Sequence, residues 1–480
     1  MIRGIEQIQD PVLQNFALLT DIPRGSGNEE EISNFLKNWA QERGLEVHQD
    51  RVLNIIMKKP ASPGLEGAKT MVLQGHMDMV NEVKKGFEMD FDRDPIPAEV
   101  EGDLIIAKNT TLGGDNGIAV AMIMAIFEDK SLVHPPLEAL ITVDEERGMT
   151  GAIHLEGQYV DGRILINLDS EDEGVLCAGC AGGQRDTVIF SKEFEGGEEE
   201  GHLLALEGLT GGHSGQDIHR GRGNANLLLA RILHHLDEKL TVKLGDLHGG
   251  SKSNAIPRDA QALIFTGATE AELQIALDEI VAVLKKEYED TDPNLKLSLT
   301  KGRGRAFSSD LQGRLMAFLL TCPNGVHTMS QKIPGLVESS NNFGVIESRE
   351  DAIVLTSQVR SSVASRVEEI ARKTQVLAEL AGAQYEAGDG YPAWEYASVS
   401  PLRDLALEIW KEQTGEEMKV ETIHAGLECG LLQDVLGTMD MISIGPDMAG
   451  VHAPGEHLSI SSTKKVYKYL KKLLEQGGRL

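Results

Sequence analysis

The sequence predicts an α/β fold: a mainly parallel sheet with helices on both faces, plus an inserted α+β domain. Apolar runs such as "TMVLQGHM", "LEALITVDEE" and "RILINLD" alternate with helical patterns in the first part of the chain. Strands that are apolar throughout are typical of parallel sheets covered on both faces. From residue 189 to 386 the pattern changes to strand-like segments interleaved with amphipathic helices. We therefore expect residues 1–188 and 387–480 to form one domain, with 189–386 inserted into it.

The first two predicted helices carry start signals. In "DPVLQNFALLTDI", Asp10 is a typical N-cap and Pro11 suits the first turn. In "GNEEEISNFLKNWAQERG", Asn28 with Glu31 three residues later predicts a capped start, and Gly44 predicts the end. The apolar run "GIAVAMIMAIFED" predicts a further helix.

The inserted segment and the C-terminal return follow the same periodicities. Strands are predicted in the insertion at "HLLALEGL", "AQALIFTG", "LKLSLTKG" and "AIVLTSQVR". Helices are predicted there at "NANLLLARILHHLDEKL", "EAELQIALDEIVAVLKKEYED" and "VEEIARKTQVLAELAG". After "GDGYPAW" the segments "PLRDLALEIWKEQTG", "MDMISIG" and "TKKVYKYLKKLLEQ" resume the α/β pattern, so we expect them to complete the first domain.

Composition limits the possible partners. The 480 residues include 46 Lys plus Arg and 75 Asp plus Glu, for a formal net charge of −29. Such a surface repels nucleic acid and anionic membranes, so neither is expected as a partner. The 41% hydrophobic and 25% charged contents are ordinary for a globular protein.

No segment predicts a membrane span or a secretory signal. The N-terminal "MIRGIEQIQD" lacks an apolar core, so the expected location is cytoplasmic. The low cysteine content agrees with that location. Cys177 and Cys180 form a CxxC, but a zinc knuckle needs a second pair, and Cys322 and Cys429 stand apart.

Acidic and histidine residues follow several predicted strands. His76 and Asp78 lie two positions apart at the end of "VLQGHMDMV", so their side chains would project from one face. In a parallel sheet, ligand sites lie beyond the carboxyl ends of the strands, where these groups would converge. The other stretches are "TLGGDNG" with Asp115, "VDEERG" with Asp144 to Glu146, "INLDSEDEG" with Asp169, and "GVHAPGEH" with His452, Glu456 and His457.

Each residue also has a simpler interpretation. Asp115 alone would be a helix cap or turn former, and His76 alone a buried core histidine. Glycines around Asp115 instead let the backbone approach a bound group. Three adjacent acids at 144–146 would repel one another near a buried strand end unless a cation relieves the repulsion. One glutamate could then bind an ion while its neighbour accepts a proton.

The donor types predict the metal and the reaction. Carboxylates and imidazoles without a thiolate suit Zn²⁺, Mn²⁺ or Co²⁺. Three ligand carboxylates and a hydroxide offset the charge of two divalent ions. A two-metal centre activates water and polarises a carbonyl, so hydrolysis is the predicted reaction.

These motifs together resemble a known family. "GHMDMV", "TLGGDNGIAVA", "DEERGMTGA", "INLDSED", "GGHSG" and "HAGLECG" are similar to motifs of the M20 family of metallopeptidases. The long insertion and "HAGLECG" most resemble the aminoacyl-histidine dipeptidase branch of that family. The motifs occur in the expected order over nearly the whole chain.

The resemblance implies roles for the residues of the first domain. Asp115 would bridge two divalent metal ions and precede a cis peptide bond. Glu145 would be the general base, and Asp78 would orient the ring of His76. The terminal ligands implied are His76 and Asp169 on one ion and Glu146 and His452 on the other, although the sequence does not decide which pair shares an ion.

The resemblance also implies that the insertion is a lid and dimerisation domain. His213 in "GGHSG" would stabilise the oxyanion formed at the scissile carbonyl. Arg360 in "TSQVRSS" suits the terminal carboxylate of a dipeptide, and Asn254 in "SKSNAIPRDA" would contact substrate. Gly426 and Glu428 in "HAGLECG" would line the substrate pocket. Taken singly, each of these residues could be an ordinary loop or surface group.

The implied function is metal-dependent hydrolysis of dipeptides with an unblocked terminus, Xaa-His dipeptides among them, by a homodimer that binds two metal ions, expected to be Zn²⁺. One alternative is an aminoacylase-like deacylase that cleaves N-acyl amino acids with the same metals. Another is a non-catalytic relative that binds a peptide or metal. That alternative predicts a lost base or ligand, and none is missing from the motifs.

Overall fold

The computed structural model describes residues 2–331 and 333–480, which form two compact units. The first unit comprises the chain up to Gly179 together with Trp394–Thr422 and Leu427–Leu480. The second unit comprises Cys180–Ala393 and Ile423–Gly426. The second unit is therefore inserted into the first along the chain.

The N-terminal segment supplies most of the first unit. Its elements are α1 (Pro11–Leu19), α2 (Glu30–Glu42), β1 (Glu46–Gln49), β2 (Ile55–Lys59), β3 (Met71–His76), β4 (Glu99–Glu101), β5 (Leu104–Ile106), α3 (Gly114–Glu128), β6 (Leu137–Thr142), α4 (Glu145–Gly148), α5 (Thr150–Ile153), β7 (Ile164–Asn167) and β8 (Val175–Cys180).

The inserted segment follows. Its elements are β9 (Gly182–Ser191), β10 (Phe194–Glu207), β11 (Gly212–His213), α6 (Ala225–Leu240), β12 (Lys243–Gly249), β13 (Ala255–Ile256), β14 (Ala260–Phe265), α7 (Glu270–Glu287), β15 (Lys296–Phe307), α8 (Ser309–Thr321), β16 (Gly325–Met329), β17 (Val337–Ser348), β18 (Ala352–Ser361), α9 (Ala364–Leu380) and β19 (Gln384–Tyr391). Because β9 pairs with β18 and β19, the inserted unit begins before residue 189.

The C-terminal return contains the remaining elements. They are α10 (Pro401–Thr414), β20 (Lys419–Ile423), α11 (Glu428–Leu436), β21 (Asp440–Ser443), β22 (Met448–Ala449), β23 (His457–Ser459) and α12 (Ile460–Glu475). Short 3₁₀ helices occur at Ile5–Gln7, Gly157–Tyr159, Ile218–Arg220 and Gly477–Arg479.

The main sheet of the first unit has the strand order β1-β2-β6-β3-β7-β21-β8-β20. Its centre is parallel, because β3 pairs in parallel with β6 and β7, and β7 with β21. Pairs near the edges, such as β1 with β2 and β21 with β8, are antiparallel. Every residue of β3, β6 and β7 is buried, which requires cover on both faces. The predicted α/β class is confirmed, with β21 of the C-terminal return completing the sheet as expected.

The start of α1 agrees with the prediction, and the start of α2 does not. The Asp10 side chain accepts hydrogen bonds from the backbone N–H groups of Val12 and Leu13. Helix α2 begins one residue later than a cap at Asn28 requires, and its N-cap residue, Glu29, makes no side-chain capping bond. The side-chain NH₂ of Asn28 donates to Asp92 Oδ1 at 2.8 Å.

The inserted unit contains the same strand order twice. In the first repeat, β10-α6-β12-β14-α7-β15 forms a sheet in the order β15-β10-β14-β12. In the second, β9, α8, β17, β18, α9 and β19 form the order β17-β18-β9-β19, which is the first order reversed. Both match the split βαβ arrangement. The repeats join where β12 pairs antiparallel with β17. Repetition explains the size of the insertion, and the predicted α+β character is confirmed.

Candidate metal centre

The acidic and histidine residues of the first unit converge at the carboxyl ends of its parallel strands. β3 ends at His76, which lies beside Thr142 at the end of β6. Asp169 follows β7, whose Asn167 lies beside Gln74 of β3. Glu145 and Glu146 begin the short helix α4 after β6. Because neighbouring parallel strands end at one edge, groups far apart in the sequence become neighbours there.

Asp115 lies at the centre of this cluster. Its Oδ1 is 3.1 Å from Nε2 of His76, and its Oδ2 is 3.1 Å from Nε2 of His452. Asp169 Oδ1 lies 3.5 Å from the same nitrogen of His76. Glu146 Oε1 lies 2.8 Å from Nε2 of His452. Each oxygen of Asp115 therefore faces a different imidazole, and each imidazole has a second carboxylate beside it.

The backbone around Asp115 is held by close contacts. The peptide bond between Asp115 and Asn116 is cis, as the family resemblance predicts. The Asn116 side chain accepts from the His76 backbone N–H at 3.1 Å and donates to the Leu168 carbonyl at 2.8 Å, so it connects the ends of β3 and β7. A Cβ on Gly75 would lie 2.5 Å from Asn116 Oδ1, so glycine is needed for this approach.

Asp78 lies beneath His76 and is fully buried. Its Oδ1 is 3.2 Å from Nδ1 of His76, which leaves Nε2 facing the cluster. The same carboxylate accepts hydrogen bonds from the backbone N–H groups of Glu145 and Glu146 at 3.1 and 3.4 Å. Ser26 Oγ donates to it at 2.8 Å. Asp78 thus orients an imidazole and caps the helix that carries both glutamates.

The carboxylates of the cluster disfavour one another's charge. Burial raises the pKa of Glu145 well above its ordinary value, and the neighbouring Asp169 and Glu146 raise it further. Burial, with Asp115 and Glu146 nearby, raises the pKa of Asp169 to about 7. Hydrogen bonds with Asp115 and Glu146 raise the pKa of His452 to about 11. The cluster therefore favours bound positive charge.

The donor set fits two divalent cations. Single ligand atoms of His76, Asp115 and Asp169 lie within 4.8 Å of one another, as do those of Asp115, Glu146 and His452. A third such group contains His76, Glu145 and Glu146. Oxygen and nitrogen donors at these separations suit Zn²⁺, Mn²⁺ or Co²⁺. Asp115 belongs to the first two groups, so it could contact both cations.

Glu428 occupies a different position from the one expected of a substrate-contacting residue. It is fully buried, and its Oε2 accepts hydrogen bonds from Gln74 Nε2 and Thr142 Oγ1, both at 2.6 Å. Gln74 Oε1 in turn accepts from Asn167 Nδ2 at 2.5 Å. Glu428 therefore lies below the cluster and connects the ends of β3, β6 and β7, rather than lining an open pocket. Gly426, on the segment assigned to the second unit, is partly exposed.

In the inserted unit, His213 is fixed in one tautomer. Its Nδ1 accepts hydrogen bonds from the backbone N–H groups of Gly215 and Gln216 at 3.3 and 3.1 Å. The proton of the neutral ring must therefore be on Nε2. Burial, together with the charge of Arg360, lowers the pKa of His213, so the neutral form is favoured. Asn254 has an exposed side chain, and its carbonyl accepts from the Ser214 N–H at 2.9 Å.

Arg360 is a nearly buried cation of the same unit, with 6% exposure. Its Nη1 donates to Tyr391 Oη at 2.6 Å, and its Nε lies 3.4 Å from Ser214 Oγ. Among the side chains that the structure describes, no carboxylate forms an ion pair with it. A buried guanidinium with hydroxyl partners alone suits an anionic ligand.

The sequence analysis missed several residues that support these clusters. Arg24 is buried and donates to the carbonyls of Met77, Asp78 and Gly113, behind the cluster. Buried His424 shares a 2.7 Å hydrogen bond with Ser340 Oγ. Helical periodicity and strand ends do not mark such residues, because their partners lie on distant segments. Gly113, with φ of 70°, could have pointed to the Arg24 contact, since a Cβ there would lie 2.3 Å from Nη2.

A carboxylate–imidazole cluster at the strand ends of an α/β domain is typical of metal-dependent hydrolases. Residues 204–292 match a family described as a peptidase dimerisation domain of the M20 type. The chain is 38% identical over 471 residues to the cytosol non-specific dipeptidase of Escherichia coli, covering 97% of each chain. A crystal structure of aminoacylhistidine dipeptidase from Vibrio alginolyticus superposes with a TM-score of 0.87 at 37% identity, covering 98% of each chain.

The chain therefore belongs to the M20 family of metallopeptidases. The predicted enzyme class, a hydrolase of peptide bonds, is confirmed. The crystal structure of an aminopeptidase from Bacillus cereus has the same fold, with a TM-score of 0.57 at 15% identity over 98% of this chain and 99% of that one. Within residues 2–331 and 333–480, no helix combines the length and apolar character that a bilayer span requires.

Proposed function

We propose that this protein is a dipeptidase that hydrolyses Xaa-His and other dipeptides with unblocked termini, using two divalent metal ions. The identity to a non-specific dipeptidase and the superposition on an aminoacylhistidine dipeptidase, each over nearly the whole chain, support this substrate class. The observation that carries the proposal is the position of Asp115, whose two oxygens each lie 3.1 Å from a different imidazole.

The proposed ligands follow from these distances. His76 and Asp169 would hold one ion, Glu146 and His452 would hold the other, and Asp115 would bridge them. Asp78 would keep the ring of His76 in place through Nδ1. The ions would be Zn²⁺, with Mn²⁺ and Co²⁺ as the alternatives that the same donors accept.

The ions, when bound, would polarise the peptide carbonyl and lower the pKa of water. Glu145 would act as the general base. It accepts a proton from the attacking water, whose oxygen bonds to the carbonyl carbon. The carbon–nitrogen bond then breaks, and Glu145 returns the proton to the leaving amine.

Two residues of the inserted unit would recognise the peptide. Because Nδ1 of His213 already accepts two backbone N–H groups, the ring proton is on Nε2, and this Nε2–H would donate to the developing oxyanion. Arg360 would bind the terminal carboxylate, which supplies the missing counter-charge. Asn254 and Gly426 are proposed to contact substrate. Glu428 is proposed to support the pocket indirectly, by fixing Gln74 and Thr142 through hydrogen bonds.

The test combines metal analysis with turnover. Protein purified without chelator should contain about two divalent ions per chain and hydrolyse Gly-His and β-Ala-His. Chelation should abolish turnover, and adding back Zn²⁺, Mn²⁺ and Co²⁺ separately should show which ion restores it. Protein that keeps full turnover after its metal has been removed would contradict the proposal.

The substrate panel separates the dipeptidase from the deacylase. N-acetyl and N-succinyl amino acids are assayed beside the two dipeptides at equal concentration. The proposal expects the dipeptides to have the higher kcat/KM. A preference for the N-acyl compounds would assign the same metal centre to a deacylase instead.

We further propose a homodimer formed through the inserted domain, in the cytoplasm. The match of residues 204–292 to a dimerisation domain and the name of the E. coli relative support these two statements. Within the matched segment, Ile275 and Val283 of α7 are 61% and 47% exposed. Ile275→Glu should shift the mass measured by light scattering toward the monomer, whereas Val399→Glu, at a still more exposed position of the first unit (78%), should not.

A further inference from the structure

Glu456 is a buried carboxylate that accepts hydrogen bonds from four backbone N–H groups of another loop. It is 2% exposed. Its Oε2 accepts from the N–H groups of Leu112 and Gly113 at 2.7 and 3.1 Å. Its Oε1 accepts from the N–H groups of Gly114 and Asp115 at 2.8 and 3.4 Å. Four consecutive backbone donors, ending at Asp115, therefore point at one side chain.

The loop that carries Glu456 also carries His452. Backbone hydrogen bonds join this loop to the one before Asp115: the Ala107 N–H donates to the Glu456 carbonyl at 3.1 Å, and the Gly455 N–H donates to the Ala107 carbonyl at 2.9 Å. His452 itself is about half exposed and has a positive φ of 61°. A half-exposed side chain has few packing contacts to fix it, so the position of His452 depends on how its loop is attached to the rest of the unit.

We propose that Glu456 is a positioning residue that holds His452 opposite Asp115. This inference rests on the proposed two-metal function. Glu456 grips the N–H groups of residues 112–115, and the same rigid turn presents His452 Nε2 at 3.1 Å from Asp115 Oδ2. The bridging carboxylate and one terminal ligand are thereby held at a fixed separation, before any cation binds.

A carboxylate is required for this role because it has two acceptor oxygens. Each oxygen serves two donors, whereas an amide offers one oxygen and turns an NH₂ group toward the remaining N–H groups. The buried charge is stabilised by the four backbone N–H groups that point at it. It is also stabilised by Arg24, which donates to the Gly113 carbonyl on the other side of the same backbone.

The test measures metal binding rather than activity alone. Mn²⁺ is titrated into chelator-stripped protein by isothermal titration calorimetry, and two binding steps are resolved for the parent. Glu456→Gln should weaken the step of the ion assigned to His452 by about 10- to 100-fold, the range known for residues that support metal ligands. The other step should weaken less, because that ion would share only Asp115 with the disturbed loops. The thermal midpoint of the metal-free protein should stay close to that of the matched control.

The control is Glu138→Gln. Glu138 is also 2% exposed and also accepts backbone N–H groups, those of Asp161 and Gly162, but it lies on β6 at the opposite end of the sheet. The Glu138→Gln protein should be less stable than the parent but should bind both metal ions with the parent's affinities. Equal metal affinities in Glu456→Gln and the parent, or equal losses in the two variants, would overturn the inference.

A double-mutant cycle identifies the residue through which Glu456 acts. His452→Ala removes the ligand, and adding Glu456→Gln should then weaken the affected step by less than it does alone. Additive effects would show that Glu456 does not act through His452. If Glu456→Gln does not fold, Glu456→Asp replaces it; the carboxylate, shorter by one methylene, should give an intermediate loss, and an unchanged affinity would overturn the inference. A parent protein that binds no metal would instead refute the proposed function.

Discussion

Asp78 accepts a hydrogen bond from the backbone N–H of Glu145 at 3.1 Å, although the two residues lie 67 positions apart in the sequence. The carboxylate also approaches His76 Nδ1 at 3.2 Å. One buried side chain therefore couples the orientation of an imidazole to the position of the proposed general base. Helix α4 has Asp144 at its N-cap without a side-chain capping bond, so Asp78, from the loop after β3, supplies the missing acceptor.

Asp78→Asn should weaken metal binding and turnover together. The amide retains one oxygen and turns NH₂ toward either His76 or the N–H of Glu146, so one of the two contacts is lost. We expect about a 10- to 100-fold loss of metal affinity, measured by competition with a chromogenic chelator. Asp103→Asn removes an exposed carboxylate that contacts Ser459 and Ser461 and serves as the control. An unchanged affinity in Asp78→Asn would exclude the orienting role.

Glu145→Gln should separate metal binding from chemistry. The side chain keeps its size but cannot accept a proton, so kcat should fall by about 10² to 10⁴-fold. The metal content should remain that of the parent, because Asp115, Asp169, Glu146 and the two imidazoles are intact. Metal analysis and steady-state kinetics on one preparation measure both. Parental turnover in this variant would exclude Glu145 as the base.

Arg360→Lys should raise KM for dipeptides that have a free carboxylate. The bidentate guanidinium contact is lost, and a charge-assisted hydrogen bond is worth about 1.5–3 kcal/mol, or about 10- to 100-fold in KM. Gly-His amide, which lacks the carboxylate, should be hydrolysed by the parent and the variant with similar KM values. Equal effects on the acid and the amide would show that Arg360 does not bind the carboxylate.

Two substitutions of Glu428 should have different effects on stability. Glu428→Gln keeps an acceptor for Gln74 and Thr142, so the free energy of unfolding should change little. Glu428→Ala removes the shorter hydrogen bond of each donor and leaves Gln74 Nε2 only Thr142 Oγ1 at 3.3 Å and Thr142 Oγ1 only the Gly75 carbonyl at 3.4 Å, so the free energy of unfolding should fall by about 1–3 kcal/mol. Denaturant titration measures the difference. A large rise of KM in a stable Glu428→Gln protein would instead indicate that Glu428 contacts the substrate.

The inserted domain should lose stability on mild acidification. Burial, together with the charge of nearby Arg360, lowers the pKa of His424 to about 3. The unfolded chain, with an ordinary pKa of about 6.5, binds the proton first, so stability falls as pH drops below about 6.5. The loss approaches about 1.4 kcal/mol per pH unit until the pH nears the folded value.

Urea titrations at about pH 7 and about pH 5.5 measure this loss. His424→Gln should reduce by one the number of protons that the chain takes up on unfolding, so its free energy of unfolding should depend less on pH. His234 is exposed on α6, and His234→Gln should leave that dependence unchanged. An equal pH dependence in the parent and His424→Gln would contradict the prediction.

Much of the fold could be predicted because it depends on local patterns. Asp10 caps α1 as predicted, because N-cap preference is set within one turn of helix. Asn28 does not cap α2, because the helix begins one residue later, with Glu29 at its N-cap; the side-chain NH₂ of Asn28 binds Asp92 on a distant loop. The duplicated strand order of the insertion was not predicted, since the first repeat, β10 to β15, lies within the second, between its β9 and α8, and separates β9 from its partners along the chain.

The sequence by itself determined the alternation of strands and helices, the inserted α+β segment and the residue types of the cluster. Residues two apart on a strand share a face whatever surrounds them, so the pairing of His76 with Asp78 is a local property. Only the tertiary structure decided which groups face Asp115, that Glu428 is buried below the cluster, and that Glu456 grips residues 112–115. Those relationships join segments hundreds of residues apart, and their distances are set by the packing of the whole domain rather than by any local preference.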